Sequence, residues 1–343
     1  MKVMTFESIS KYRTQLMGVA MLSVFLFHSI GGDWMPKCIH HIASHGAIGV
    51  DIFLFLSAMG LSYSLTQNPD IVSFYKRRVW RIMPTYWFIM TGVYLFVYVL
   101  TAAHIMPEAY YRIPRSIYEF VQTYTTLGYW IKDGLFYLWY IPAILLLYLL
   151  FPFIFKLFTS CKWMYILTLL PAAVITFCSL ALEWYHGCLL YRIGIFLWGT
   201  IFTIEFIFKG CRVKRGVVYG IGFLSLLFYI VRIEMGFDVF CRLVEEALFF
   251  ITLPCILVCI TWLCRNNVFS VATKFVGRIS LEFYLIHEFV MRFMETISNF
   301  ILTMSPMVQK LMALIVSLAL AYLVHEVMSV LMDKFSGKKK KSA

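Results

Sequence analysis

Apolar residues arrive in blocks along this chain, and most blocks are long enough to cross a bilayer. A hydrocarbon core takes about 20 residues of helix. Ten segments meet that length, near 15–32, 46–66, 82–103, 135–157, 163–183, 189–209, 216–233, 245–264, 275–296 and 307–332. The pattern predicts an all-α, polytopic membrane helix bundle of about ten transmembrane helices. Residues 1–333 form one membrane-embedded domain, and 334–343 form a basic cytoplasmic tail. The first block reads as a retained span, because no small-residue cleavage site follows it. Prolines 142, 152 and 254 lie within or near the ends of blocks, which membrane helices accept. Pro84 is expected in the first turn of the third span, where proline is tolerated.

Charge between the blocks orients them. Lys76, Arg77, Arg78 and Arg81 lie between the second and third blocks, Lys209, Arg212, Lys214 and Arg215 after the sixth, and Arg265, Lys274 and Arg278 after the eighth. Both ends are basic as well. The intervening connections hold most of the acids, among them Asp33, Glu108, Glu119, Asp133, Glu183, Glu234 and Asp238. The positive-inside rule then puts both termini in the cytoplasm, which requires an even number of spans. The one long connection, 104–134, lies outside and is rich in Tyr and Trp. It fits either an aromatic belt at the interface or a lid over a site.

Composition agrees. The 343 residues are 61% hydrophobic and 14% charged, with a mean hydropathy of +0.80, more apolar surface than a soluble domain can hide. The net charge of +12 follows from topology, and the lysine run at 338–341 suits anionic lipid headgroups, so no nucleic-acid partner is implied. Nine cysteines show no metal-ligand spacing; neither disulfides nor a bound metal are expected. No internal repeat of the kind transporters carry is visible.

Depth along the helices singles out a few polar groups. His28 lies about 13 residues from Gln15, roughly 20 Å up the first span at 1.5 Å per residue. Asp51 lies roughly 8 Å from the outer surface in the second span. The two helices are expected to be antiparallel neighbours, which would let the carboxylate orient the imidazole. In the ninth span Ser280, Tyr284, His287 and Met291 fall on one helical stripe. Glu288 is one turn from Arg292 and can neutralise it. His287 has no such partner, and both a hydrogen-bonded core histidine and a functional one remain open for it.

Arg77, Arg78 and Arg81 can converge on one face of a helix at the inner mouth. Topology alone accounts for positive charge there. Planar guanidinium forks also match phosphate oxygens, and a helix start at Pro84 would offer free N–H groups to an anion.

Four stretches carry a resemblance. GVAMLSVFLFHS contains His28, GVDIFLFLSAMGLSYS contains Asp51, YKRRVWRIMPTYW contains an R-x-x-R formed by Arg78 and Arg81, and GRISLEFYLIHEFV contains His287. Together they resemble the acyltransferase 3 family of integral-membrane O-acyltransferases. That resemblance implies acyl-CoA entering from the cytoplasm as co-substrate, with acetyl-CoA the expected donor and no bound cofactor. It implies transfer to a hydroxyl of a surface or exported glycan or glycolipid, in a bacterial cytoplasmic membrane among its lipids. It gives His28 the catalytic role and Arg78 and Arg81 the donor. Two positions depart from the pattern. Met17 stands where many members carry Arg or Lys, with Arg13 one turn lower; Ile144 stands where a glutamate follows the tryptophan kept here as Trp139. No fused hydrolase-like domain is expected, and no oligomeric state is indicated. The rival reading is a proton-coupled transporter or glycan exporter, with His28, Asp51, His287 and Glu288 as a relay. A non-catalytic scaffold explains the polar residues least well.

Overall fold

The computed structural model describes residues 3–4, 6–30, 35–104, 114, 116–131, 138–161, 163–181, 187–190, 192–214, 216–217, 220, 222–224, 227, 252–300 and 302–335. The expected seventh span, the start of the eighth, the tyrosine-rich start of the 104–134 connection and the terminal lysine run lie wholly or mostly outside those residues.

Helices account for nearly all of the described chain. They are α1 (Glu7–Lys11), α2 (Arg13–His28), α3 (Lys37–Ser44), α4 (Ile48–Gln67), α5 (Ile71–Ala102), α6 (Ile117–Tyr124), α7 (Tyr140–Ser160), α8 (Trp163–Ala181), α9 (Gly187–Leu190), α10 (Ile193–Phe202), α11 (Thr252–Leu263), α12 (Asn267–Arg278), α13 (Ser280–Phe300) and α14 (Pro306–Phe335). Two-residue strands β1 (Val3–Met4) and β2 (Val213–Lys214) pair antiparallel, with Val3 opposite Lys214. Among the described residues, five helical runs are long and apolar enough to cross a bilayer: α4, α5, α7, the stretch Cys188–Phe208, and Pro306–Lys334 within α14. Large apolar side chains such as Leu95, Leu149, Phe153, Leu170, Ile315 and Leu323 stand exposed along these and neighbouring helices. Water would penalise such rows, whereas lipid accepts them, and a helix satisfies its own backbone there.

The chain divides into two compact units, each assembled from three separate stretches. The first comprises Met1–Ala20, Gly49–Tyr75 and Trp139–Lys274. Helix α4 is its most enclosed span, with Leu54, Phe55, Leu56, Ala58 and Met59 all buried. Gly199 of α10 lets that helix approach closely: a Cβ there would lie 2.8 Å from the Phe55 carbonyl oxygen. Close approach over small residues is how membrane helices gain packing without a hydrophobic drive between them. Phe202 packs on Phe55 and Phe6 at ring separations of 5.3 and 4.9 Å. Phe158 of α7 and Leu197 and Ile201 of α10 form a further apolar cluster. Side-chain bonds join distant segments, Gln15 to Ser270 and Thr261 to Ser8, both at 3.1 Å.

The second unit comprises Met21–Ile48, Lys76–Leu138 and Phe275–Ala343. Its centre is the hairpin of α13 and α14, joined across by Glu282 and His325 at 3.1 Å. Phe25 of α2 lies 5.7 Å from Phe283, and Phe96 of α5 lies 5.2 Å from Phe293, so both helices pack on α13. Gly46 sits against the Ser23 carbonyl, a contact that leaves no room for a side chain. Helix α6 starts at Ser116, whose hydroxyl accepts the Glu119 N–H at 3.1 Å as an N-cap. It docks on α5 through Tyr86 and Trp87, which donate to the carbonyls of Thr123 and Tyr124, each at 2.8 Å.

Two expected boundaries are corrected. The third helix does not begin at Pro84. Asp70 caps it by accepting the Ser73 N–H at 3.0 Å, and α5 runs on from Ile71 with Pro84 in its interior. The basic stretch is therefore wound into the helix, and Pro84 offers no helix start to an anion; it only removes the N–H that would bond the Trp80 carbonyl. The ninth span, expected from residue 275, is broken at Ile279, and the helix that holds His287 begins at Ser280. The apolar pattern continues through that break, so periodicity could not show it.

Candidate active site

His28 is the last residue of α2. Immediately after it, the Ser29 hydroxyl turns back to the Phe25 carbonyl at 2.8 Å and closes the helix end. The His28 side chain is exposed. Helix α13, in the same unit, presents the expected stripe: Ser280, Tyr284, His287 and Met291 are all buried. His287 is only 1% exposed, and its ring lies 5.3 Å from the His28 ring at an interplanar angle of 63°. Phe25, Phe283 and Tyr284 supply the other rings around it, at 6.4, 6.1 and 5.8 Å.

The hydrogen bonds of His287 fix its tautomer. Its Nδ1 lies 2.7 Å from the Tyr284 carbonyl oxygen and 3.2 Å from that of Phe283. Carbonyls only accept, so Nδ1 carries the proton and Nε2 bears a lone pair. Nε2 is buried and has no hydrogen-bond partner among the described residues. An unmet buried polar atom is costly. Glu288 and Arg292 form the expected one-turn ion pair at 2.8 Å.

Asp51 lies in the first unit and His28 in the second. The partner observed for Asp51 is Arg192, whose Nε donates to Oδ1 at 3.0 Å while Nη1 donates to the Cys188 carbonyl at 3.0 Å. The Arg192 guanidinium also stands over the Trp139 ring, 5.6 Å from its centroid. Both charged side chains of this pair are largely buried. Arg13, likewise in the first unit, donates from Nε to the Leu56 carbonyl of α4 at 3.2 Å. Gly60 makes room for it, since a Cβ there would meet Arg13 Nη2 at 2.7 Å. Ile144 is buried as an ordinary core residue.

On α5, Arg77 and Arg81 are exposed and Arg78 is half-buried. The structure thus brings together His28, His287 and Tyr284 in one unit, and Asp51 with Arg192 and Trp139 in the other. Sequence reasoning did not single out Arg192, Glu282 or His325. Each lies inside an expected span, and an ionisable side chain in a span is itself the signal that could have found them.

A helical bundle with lipid-suited faces has the build of an integral membrane protein. The family model of the acyltransferase 3 group, described as an acyltransferase domain, matches residues 15–326, nearly the whole chain. The protein belongs to that family and is an acyltransferase. No curated protein and no solved structure matches the chain.

Proposed function

We propose that the protein moves an acyl group, acetyl first among the candidates, from a cytoplasmic acyl-CoA to a hydroxyl of a surface or exported glycan or glycolipid. The observation that carries the reading is His28: an exposed imidazole at the end of α2, in a chain that matches the acyltransferase family along nearly its whole length. In this reading both termini face the cytoplasm of a bacterial inner membrane.

His28 acts as the general base. It takes the proton of the acceptor hydroxyl as that oxygen attacks the thioester carbonyl, and returns it to the CoA thiolate as the C–S bond breaks. Arg78 and Arg81, with Arg77 beside them, grip the phosphates of the donor with planar forks. They do so as side chains along a continuous helix, without help from a helix start. Asp51 and Arg13 serve through the contacts seen here, Asp51 by fixing the start of α4 to Arg192 and Arg13 by bracing α2 on α4.

The test is release of free CoA thiol from acetyl-CoA by protein purified in detergent, with envelope glycan added as acceptor. His28→Ala should cut the rate by about 10²–10⁴-fold at unchanged yield of folded protein. Full activity in this variant would remove His28 as the base. Protein that releases no CoA but carries glycan or protons across sealed vesicles would point to the carrier reading instead.

A further inference from the structure

We infer that His287 is the positioning residue for His28: its Nε2 accepts the ring N–H of His28, so that His28 presents its other nitrogen, unprotonated, to the acceptor hydroxyl. This rests on the reading of His28 as the base.

The first support is that His287 has no freedom to do otherwise. Two backbone carbonyls of its own helix hold Nδ1–H, and turning the ring over would forfeit both bonds. Nε2 is therefore an acceptor, placed in a buried site and unmet by any described residue. The second support is the choice of neighbours. Phe25 and Phe283 have no donor, and the Tyr284 hydroxyl makes no bond to Nε2. Among the ring contacts described for His287, His28 is the one from another helix that carries an N–H. A centroid separation of 5.3 Å is short enough that a turn of the His28 ring brings one of its nitrogens to within a hydrogen-bond length, roughly 3 Å, of Nε2. The exposed His28 ring, at the end of α2, is free to turn its N–H inward.

The consequence is chemical. A neutral imidazole has one N–H and one lone pair, and the bond made by one nitrogen decides what the other offers. With its N–H on His287, His28 keeps a lone pair for the hydroxyl. When it takes that proton it becomes an imidazolium whose inner N–H still points at a lone pair. In serine hydrolase triads a carboxylate does this work; here a neutral ring does it without placing a second formal charge in an apolar site. The proton passes from the hydroxyl to His28 and then to the CoA thiolate, the new ester C–O bond replaces the thioester C–S bond, and His287 keeps its own proton on Nδ1 throughout.

Two variants separate this role from a merely structural one. In His287→Asn the amide can still donate to the Tyr284 carbonyl, but the acceptor at the Nε2 position is gone. In His287→Gln an amide oxygen reaches that position. His287→Asn should lose about tenfold or more in kcat with the KM for acetyl-CoA unchanged, and His287→Gln should recover most of it. A structural role predicts the reverse order, with Asn benign. Nitrogen-15 NMR of labelled histidines, with His28 assigned from the spectrum of His28→Ala, should show one His28 tautomer in the native protein and a mixture in His287→Asn. Wild-type kcat in His287→Asn, or mixed tautomers at His28 in the native protein, would overturn the inference; the native spectrum decides it even if the His287 variants do not fold. Measuring His28→Ala alongside keeps the failures apart. An active His28→Ala sinks the base itself, whereas an inactive His28→Ala beside a fully active His287→Asn sinks only the role of His287.

Discussion

Asp51, His287 and Arg13 are held by three different devices. Asp51 is met by a guanidinium that is also bonded to a carbonyl and stacked on an indole. His287 is fixed by two carbonyls at one nitrogen and left open at the other. Arg13 spends its charge on the backbone of α4, through the space that Gly60 leaves. The residues themselves were legible, because charge inside an apolar block stands out in any sequence. Their partners were not. Asp51 and Arg192 are 141 positions apart, and helix periodicity says nothing about contacts between helices. Depth arithmetic could bring Asp51 level with His28 but could not show that Arg192 occupies its carboxylate. The arginines of α5 carry the residue-scale prediction. A charge-assisted hydrogen bond to phosphate contributes about 1.5–3 kcal/mol, so Arg81→Ala should raise the KM for acetyl-CoA about 10- to 100-fold with little change in kcat. An unchanged KM would return these arginines to a purely topological role.

At the scale of elements, the apolar blocks foretold α4, α7 and α14 closely, because a run of that length with few charges has few other folds available. The start of α5 was misplaced for a physical reason. A stretch as charged as Lys76 to Arg81 reads as a loop by hydropathy, yet Asp70 supplies a cap and the helix simply extends past the membrane-suited part. Helix contacts make a second prediction, on stability. Alanine at Gly199 would drive a methyl group into the backbone of α4, where Phe55 cannot retreat without moving the helix. The expected cost is about 1–3 kcal/mol, the range for overpacking a tight contact. Alanine at Gly60 meets the guanidinium end of the Arg13 side chain, which yields more readily than backbone does. Thermal unfolding in detergent should therefore show a clearly larger drop in Tm for Gly199→Ala than for Gly60→Ala. Equal drops would mean that α4 and α10 do not meet as closely as described.

For the molecule as a whole, composition and charge made the membrane bundle plain, and the family match makes it an acyltransferase. The division into two units built from interleaved stretches had no counterpart in the sequence, since hydropathy ranks helices by length and composition and not by neighbour. The central claim is that this bundle acylates an envelope glycan with His28 as the base. Mass spectrometry of envelope glycans from cells making the wild-type chain, the His28→Ala variant, or neither tests it most directly. One added acyl mass on a glycan should be seen with the wild-type chain and be missing from both other samples. The same increment in cells making His28→Ala, or no glycan change with the wild-type chain, would contradict the account.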